Sequence, residues 1–240
     1  MLMTPFTAEL VGTAILILLG NGVVANVALK NTNGNNGGWI VITFGWAMAV
    51  FVGVFITAAA SGAHLNPAVT LALALAGKFD WAAVPGYMAA QLLGAMAGAA
   101  LVWLAYKKHY DETDDASSVK GTFCTAPAIP HRMYNLLTEA IGTFVLVFGV
   151  LLIAAPDSSL GALDALPVGL LVLGIGLSLG GPTGYAINPA RDLGPRIMHA
   201  LLPIRSKRGS DWPYAWIPVA GPFAGAALAA ILYNFFNSQG

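Results

Sequence analysis

Long apolar runs occupy most of this 240-residue chain, with very little charge between them. Charged residues make up 9% of the sequence, which is about a third of the usual share in soluble proteins. Hydrophobic residues make up 57%. The core of a single domain of 240 residues cannot bury so much apolar surface, so the excess must face a lipid bilayer. The sequence therefore predicts an all-α membrane protein.

Charge and cysteine content exclude several other classes of protein. The chain has 11 basic and 11 acidic residues and no basic tract, which argues against nucleic acid as a partner. Cys124 is the single cysteine, so no disulfide can form within the chain and no metal-binding spacing is present. We predict neither a metal site nor a cofactor.

The apolar runs predict six transmembrane helices. They cover residues 6–29, 39–60, 81–106, 134–155, 166–179 and 213–236. The fifth run is too short to cross about 30 Å at about 1.5 Å per residue, so we expect this helix to begin before Pro167. The charged stretch 107–133 is expected to be the longest aqueous loop.

Two further segments, 61–77 and 181–198, are mildly apolar but interrupted by glycine and proline. A helix from Asn66 to Lys78 would span only about 16 Å, about half of the hydrocarbon thickness, so we expect two re-entrant half-helices. Non-helical backbone at membrane depth requires burial or a water-filled cavity, which indicates a lined cavity here. The alternative, a pair of surface amphipathic helices, would need a basic face that neither segment has.

Matching segments show that the sequence contains an internal repeat. The segment TAELVGT at 7–13 matches LTEAIGT at 137–143, and SGAHLNPA at 61–68 matches TGYAINPA at 183–190. Each half holds three spans and one re-entrant segment, so the second half must be inverted in the membrane.

The repeat defines the domain organisation that we expect. Inverted halves over about 5–106 and 134–236, joined by the loop 107–133, form a single transmembrane domain over residues 1–240.

The repeated Asn-Pro-Ala motif has a direct physical meaning. Asparagine is a preferred N-cap and proline suits the first helical position, so each motif predicts a helix start. If both half-helices begin at mid-membrane, two positive helix ends and two free amide NH2 groups converge on one point. A neutral oxygen can rest there, whereas cations and protons are repelled. The motif residues are Asn66, Pro67, Ala68, Asn188, Pro189 and Ala190.

These motifs resemble the aquaporin, or major intrinsic protein, family, in particular its glycerol-facilitator (aquaglyceroporin) branch. The resemblance covers essentially the whole chain and includes SGAHLNPAVT at 61–70 and GYAINPARDLGP at 184–195. Asp192, directly after Arg191, is typical of the glycerol branch. The resemblance implies six tilted helices with two half-helices, assembled as a homotetramer in which each protomer has its own pore.

The same resemblance implies a passive channel for glycerol, water and other small neutral solutes. It places the chain in the plasma membrane as a multi-pass protein with both termini in the cytoplasm. The basic residues of the loops favour the opposite orientation by the positive-inside rule, although long loops carry little weight in it.

In the family, a narrow ring beside the asparagine pair sets selectivity, and the matching positions are Trp46, Gly176, Tyr185 and Arg191. Burying an arginine inside a membrane costs free energy unless the side chain faces a cavity. The planar guanidinium group of Arg191 can donate hydrogen bonds to two adjacent hydroxyls. Trp46 and Tyr185 would form an apolar corner for a carbon backbone, and Gly176 would provide width.

Other polar residues within the spans allow two interpretations. Glu9 and Glu139 could couple transport to protons, but their symmetric placement favours a structural role as acceptors for the backbone of the re-entrant loops. His64 could line the pore or could be a hydrogen-bonded packing residue. The pairs Gly94-x-x-x-Gly98 and Gly221-x-x-x-Gly225 predict close helix contacts within the bundle.

Two other functions compete with a channel. An inverted repeat with broken helices also suits an ion- or proton-coupled secondary transporter. An intramembrane enzyme would need a Ser-His pair, paired catalytic carboxylates or a ligand cluster placed for catalysis, and we find none in the sequence. We therefore expect a passive channel and not an enzyme.

Overall fold

The computed structural model describes residues 3–153 and 163–238. Every regular element within these two ranges is helical, which confirms the all-α fold. In chain order the α-helices are α1 (Pro5–Ala28), α2 (Trp39–Ser61), α3 (Pro67–Leu75), α4 (Val84–Ala105), α5 (Lys107–Glu112), α6 (Ala116–Gly121), α7 (Arg132–Ile153), α8 (Ala165–Leu179), α9 (Pro189–Leu201) and α10 (Ile217–Asn237).

Five of these helices, α1, α2, α4, α7 and α10, are long and apolar enough to cross a membrane, α4 together with the short 3-10 turn Trp81–Ala83 that precedes it. Helix α8 begins at Ala165, which confirms a start before Pro167. Its 15 residues extend about 22 Å. Positions 154–155, assigned from the sequence to the fourth span, lie outside the described residues.

The sixth span begins later than the sequence suggested. Residues 213–216 form hydrogen-bonded turns, in which the N–H of Tyr214 donates to the carbonyl of Asp211 at 3.1 Å, and α10 starts at Ile217. Pro218 in the first turn of α10 suits this start because the first helical N–H groups need no partner within the helix.

Helices α3 and α9 are short, as expected for the interrupted segments. Helix α3 has 9 residues and extends about 13 Å. Helix α9 has 13 residues and continues to Leu201, beyond the end expected at 198. At that end the Nζ of Lys207 donates to the carbonyls of His199, Ala200 and Leu202, so a positive charge stabilises the negative end of α9.

The two halves interlock through these short helices. Helix α1 packs along α2 and α4, and α7 packs along α8 and α10, so both halves have the same internal arrangement. Helix α3 lies against α10, whereas α9 lies against α4. Each short helix therefore packs on the last long helix of the other half.

The glycine pairs allow the long helices to approach closely. A Cβ added at Gly98 would lie 2.4 Å from the carbonyl oxygen of Ala14, and one at Gly225 would lie 2.1 Å from that of Ala140. These positions confirm the close contacts between α1 and α4 and between α7 and α10. The first glycine of each pair also lies against the neighbouring helix. A Cβ at Gly94 would be 2.3 Å from the carbonyl oxygen of Leu10, and one at Gly221 would be 2.7 Å from the Cβ of Glu139.

The stretch 107–133 is not a simple aqueous loop, and that expectation was wrong in part. It contains α5 and α6, and the carbonyl of its buried Phe123 accepts a hydrogen bond from the Nδ2 of Asn21 at 3.2 Å. Cys124 is buried as well, and burial raises the pKa of its thiol to about 12. The segment covers one end of the bundle because its scattered apolar residues pack inward.

The acidic end of this segment has defined partners. Asp115 caps α6 by accepting from the backbone N–H groups of Ser117 and Ser118, at 3.1 and 3.0 Å. Hydrogen bonds from Ser118, and then from Ser117, hold the pKa of Asp115 below its usual range. Asp111 pairs with Lys107 one turn away, which also lowers the pKa of Asp111.

Replacing Gly98 by alanine is expected to push α1 and α4 apart, because the new methyl group would meet backbone that cannot move aside. We expect a loss of about 1–3 kcal/mol in stability and a lower melting temperature of the purified protein in detergent. Gly86→Ala in the same helix is the matched control, since nothing lies within 4 Å of a Cβ there. If the Gly98→Ala and Gly86→Ala proteins had the same melting temperature, the close contact between α1 and α4 at Gly98 would be contradicted.

Candidate functional site

The two short helices meet end to end at their asparagines. The Nδ2 of Asn66 donates to the carbonyl of Ile187 at 2.9 Å, and the Nδ2 of Asn188 donates to the carbonyl of Leu65 at 2.9 Å. Each side chain thus binds the carbonyl that directly precedes the other asparagine. The positive ends of α3 and α9 face the same small region as a result.

Each asparagine also caps its own helix. The Oδ1 of Asn66 accepts from the N–H of Ala68 at 2.9 Å, and the Oδ1 of Asn188 accepts from those of Ala190 and Arg191, at 3.0 and 3.2 Å. The sequence interpretation left the whole amide NH2 free. The structure uses one N–H of each amide in the bond across the two loops, and one N–H of each remains for a ligand.

The backbone before each asparagine has an unusual conformation that is the same in both halves. Ala63 and Leu65 have φ values of 50° and 49°, and their counterparts Tyr185 and Ile187 have 38° and 44°. Left-handed conformations of this kind are strained for residues other than glycine and persist only where surrounding contacts impose them. The contacts that impose them here come from two buried carboxylates.

Glu9, which is fully buried, accepts four hydrogen bonds. Its Oε1 accepts from the hydroxyl of Ser61 at 2.6 Å and the N–H of His64 at 2.9 Å. Its Oε2 accepts from the N–H of Leu65 and the Nε2 of Gln91, both at 2.8 Å. The carboxylate therefore replaces the backbone acceptors that the first re-entrant loop lacks.

Glu139 occupies the corresponding place in the second half and is also fully buried. Its Oε1 accepts from the hydroxyl of Thr183 at 2.6 Å and the N–H of Ala186 at 3.0 Å, and its Oε2 accepts from the N–H of Ile187 at 2.9 Å. The two carboxylates are thus engaged in the same way, by one hydroxyl and two consecutive backbone N–H groups.

The halves differ at the fourth residue after each asparagine. In the first half this residue is Thr70, which donates to the carbonyl of Asn66 at 3.1 Å and accepts from the Nε2 of Gln91 at 2.9 Å. Gln91 therefore joins α3 to Glu9. A glutamine in an apolar span is a sequence signal for such a contact, but the contact was not predicted.

In the second half the same position is Asp192, which ties α9 to its surroundings. Its Oδ2 accepts from the N–H and hydroxyl of Thr125, at 2.8 and 2.6 Å, and its Oδ1 accepts from the Nε of Arg196 at 2.8 Å. Arg196 is fully buried and also donates to the carbonyls of Thr125 and Ser210. The i,i+4 spacing of Asp192 and Arg196 was a signal for this pair in the sequence.

A cavity of about 770 Å³ runs past the paired asparagines. Its lining includes Trp46, Tyr185 and Arg191, and also Ile153, at the end of α7, and Pro167, near the start of α8. The rest of the wall is mostly aliphatic, from residues of α1, α2, α3, α7 and α8. The asparagines therefore line a cavity and do not lie at a closed helix junction, and we refer to this cavity as the passage.

His64 also lines this cavity. Its Nδ1 lies 3.1 Å from the hydroxyl of Thr70, and its ring packs against Phe79 and Tyr87 at centroid distances of 4.6 and 4.8 Å. The two interpretations of this residue are therefore compatible, since a packed and hydrogen-bonded ring also faces the passage.

Arg191 is 7% exposed, and the Cζ of its guanidinium group lies 4.1 Å from the ring centroid of Trp46. Its Nη1 is buried without a hydrogen-bond partner among the described residues. The cation–π contact with Trp46 supplies part of the missing stabilisation.

Gly176 lies behind the Tyr185 ring. A Cβ at Gly176 would be 3.0 Å from the Cζ of Tyr185, and the indole N–H of Trp39 donates to the Gly176 carbonyl at 3.0 Å. Trp39 also meets Tyr185 edge to face at a centroid distance of 5.8 Å. The space that a side chain would take at Gly176 is thus filled by an aromatic ring.

Comparison with known proteins agrees with this geometry. The family model described as "Major intrinsic protein" matches residues 2–233. A probable glycerol uptake facilitator protein of Thermotoga maritima is 57% identical over 97% of this chain and 99% of its own length. A glycerol uptake facilitator protein of Streptococcus pneumoniae is 54% identical over 98% and 100%. The X-ray structure of the aquaglyceroporin from Plasmodium falciparum matches with a TM-score of 0.86 and 33% identity, covering 95% of this chain and 93% of the other.

Replacing Glu139 by alanine is expected to leave three buried donors without an acceptor, at about 1–3 kcal/mol each. The melting temperature in detergent should fall markedly, and Glu139→Gln should fall less because it keeps one acceptor oxygen. Thr138→Ala is the control, since Thr138 is only half-buried and its hydroxyl donates to the carbonyl of Tyr134 within α7. A Glu139→Ala protein that melts like the wild type would contradict this role.

Proposed function

Since the chain belongs to the major intrinsic protein family, we propose that it forms a passive channel for glycerol and other small neutral solutes and that it also passes water. The observation that carries this proposal is the cavity past Asn66 and Asn188, at the point where two helix N-termini face each other. The similarity to glycerol uptake facilitators supports glycerol as the solute.

The electrostatics of the asparagine pair support the exclusion of cations. Each helix N-terminus carries roughly half an elementary positive charge. The remaining N–H groups of Asn66 and Asn188 can donate to the oxygen of water or of a hydroxyl. A proton or a metal ion meets two positive helix ends there, and the side-chain oxygens of the pair are already engaged as helix caps.

Trp46, Tyr185 and Arg191 line our proposed selectivity filter, and Gly176 belongs to it as the position that leaves room for the Tyr185 ring. Arg191 lines the cavity, and its planar guanidinium group can donate to a solute hydroxyl. Trp46 and Tyr185 offer aromatic surface to the carbon backbone on the other side of the solute. Such a wall, polar on one side and apolar on the other, suits a short polyol better than a fully polar solute.

A coupled secondary transporter is less well supported by the contacts in the membrane. Proton coupling would need an acidic group that exchanges protons with the passage. Glu9 and Glu139 instead accept hydrogen bonds from the re-entrant loops, at 2.6–3.0 Å. We propose no catalytic reaction for the chain.

The wider organisation completes the proposal. We infer a single channel domain over 1–240, built from inverted halves at about 5–106 and 134–236. We place the chain in the plasma membrane with both termini in the cytoplasm, assembled as a homotetramer with one passage in each protomer. The lipid bilayer is the partner of the exposed apolar side chains of the long helices.

Transport kinetics test the proposed function. In vesicles containing the purified chain, stopped-flow light scattering should show glycerol flux that is linear in the glycerol gradient and weakly dependent on temperature. Imposed proton or sodium gradients should have no effect. Saturating flux that follows the proton gradient would favour the coupled transporter instead, and vesicles without protein give the background.

Replacing Arg191 by alanine is expected to relax the exclusion of cations. A unit charge beside a narrow passage repels a cation by several kcal/mol, so cation leak should rise at least about tenfold while glycerol still passes. Arg205→Ala, at an exposed position, is the matched control. Dye-based measurement of proton and potassium flux checks this, and an unchanged leak would count against the role of Arg191.

A further inference from the structure

Both aromatic walls of the proposed filter rest directly on glycines. Trp46, on α2, lies against Gly20 of α1, where an added Cβ would be 2.3 Å from the Cε3 and Cζ3 of the indole ring. Tyr185 lies against Gly180, directly after α8, where an added Cβ would be 2.5 Å from the Cδ1 of the phenol ring. Cβ atoms do not approach other atoms so closely. At Gly20 the three nearest atoms all belong to the indole ring, so that ring would have to move. At Gly180 the phenol ring is nearest, and the carbonyl oxygen of Gly176, at 2.6 Å, and the Cζ2 of Trp39, at 2.8 Å, would have to give way as well.

The Tyr185 ring is held by packing. Its hydroxyl is buried and has no hydrogen-bond partner in the part of the chain that the structure describes. Gly176 and Gly180 lie along one side of the ring, and the edge of Trp39 covers it. Since no hydrogen bond from the hydroxyl fixes the ring, its position follows from the space that the glycines leave.

The Trp46 ring is confined between two groups. Gly20 lies behind it, and the guanidinium group of Arg191 lies 4.1 Å from its ring centroid. The ring is 4% exposed, so there is little free space around it. A group added at Gly20 would therefore drive the indole toward Arg191 and the cavity.

We propose that Gly20 and Gly180 are positioning residues that set the aperture of the filter from behind. Without side chains at these two positions, Trp46 and Tyr185 withdraw from the cavity, which leaves room for a solute with a carbon backbone. Neither glycine contacts the solute. The inference rests on the proposed function, because it concerns the passage of glycerol through the same filter.

The proposal predicts a selective effect of a single methyl group. In Gly20→Ala and Gly180→Ala, the displaced ring narrows the filter, and glycerol is obstructed before the smaller water molecule. We expect glycerol permeability to fall at least about fivefold more than water permeability, because overpacking of this kind acts on the larger solute. Stopped-flow measurements of both permeabilities in the same vesicles give this ratio directly.

The chain offers matched controls for both variants. Gly22→Ala, in α1, and Gly174→Ala, in α8, add the same methyl group at positions where nothing lies within 4 Å of a Cβ. Both should keep the wild-type ratio of glycerol to water permeability. The double variant Gly180→Ala/Tyr185→Ala removes the ring that lies nearest to the new methyl group, so its ratio should rise above that of Gly180→Ala.

The outcomes separate this inference from the proposed function. If the wild type conducts glycerol and both Gly20→Ala and Gly180→Ala keep its ratio, the inference is overturned and the function stands. Equal losses of glycerol and water flux, with a lower melting temperature, would show general destabilisation and would also overturn the inference. A wild-type chain without glycerol flux would overturn both.

Discussion

Glu9 and Glu139 accept the backbone N–H groups of two segments that lie at membrane depth without helical hydrogen bonds. In lipid, such groups would cost several kcal/mol each if they had no partner. With the carboxylates in place, the chain can stop being helical in mid-membrane, take up left-handed conformations and start again at Asn66 and Asn188. The facing helix ends, the cavity beside them and the proposed exclusion of cations all depend on this arrangement.

Contacts between the two halves also stabilise the region where α3 and α9 meet. Each short helix packs on the last long helix of the opposite half, and the long helices approach one another through glycines. The two halves are not equivalent, however. Helix α3 is tied to Glu9 by the neutral pair Gln91 and Thr70, whereas α9 is tied to the segment 107–133 by the charged pair Asp192 and Arg196. Among the described residues, α9 is therefore joined to the segment 107–133, whereas α3 is joined to helices of the bundle.

Much of this architecture could be predicted from the sequence because its signals are local. Apolar runs, the repeated Asn-Pro-Ala motif and the glycine spacing each predict a helix, a cap or a contact from adjacent residues. The buried course of 107–133 could not be predicted, because only tertiary packing reveals that Phe123 and Cys124 turn inward. The positions of Gly20 and Gly180 behind Trp46 and Tyr185 depend on neighbours far along the chain, and no local pattern indicates them. The bond from each asparagine amide to the opposite carbonyl was missed for the same reason.

Cys124 is the single cysteine of the chain, is 1% exposed, and has a thiol whose pKa is raised by burial to about 12. Thiolates react with maleimides and mercurials, whereas a shielded thiol of this kind is inert. The native chain therefore has no reactive thiol of its own that would interfere with labelling at an introduced cysteine. Single cysteines introduced along the passage would report their own accessibility, and the wild-type residue would not first have to be removed.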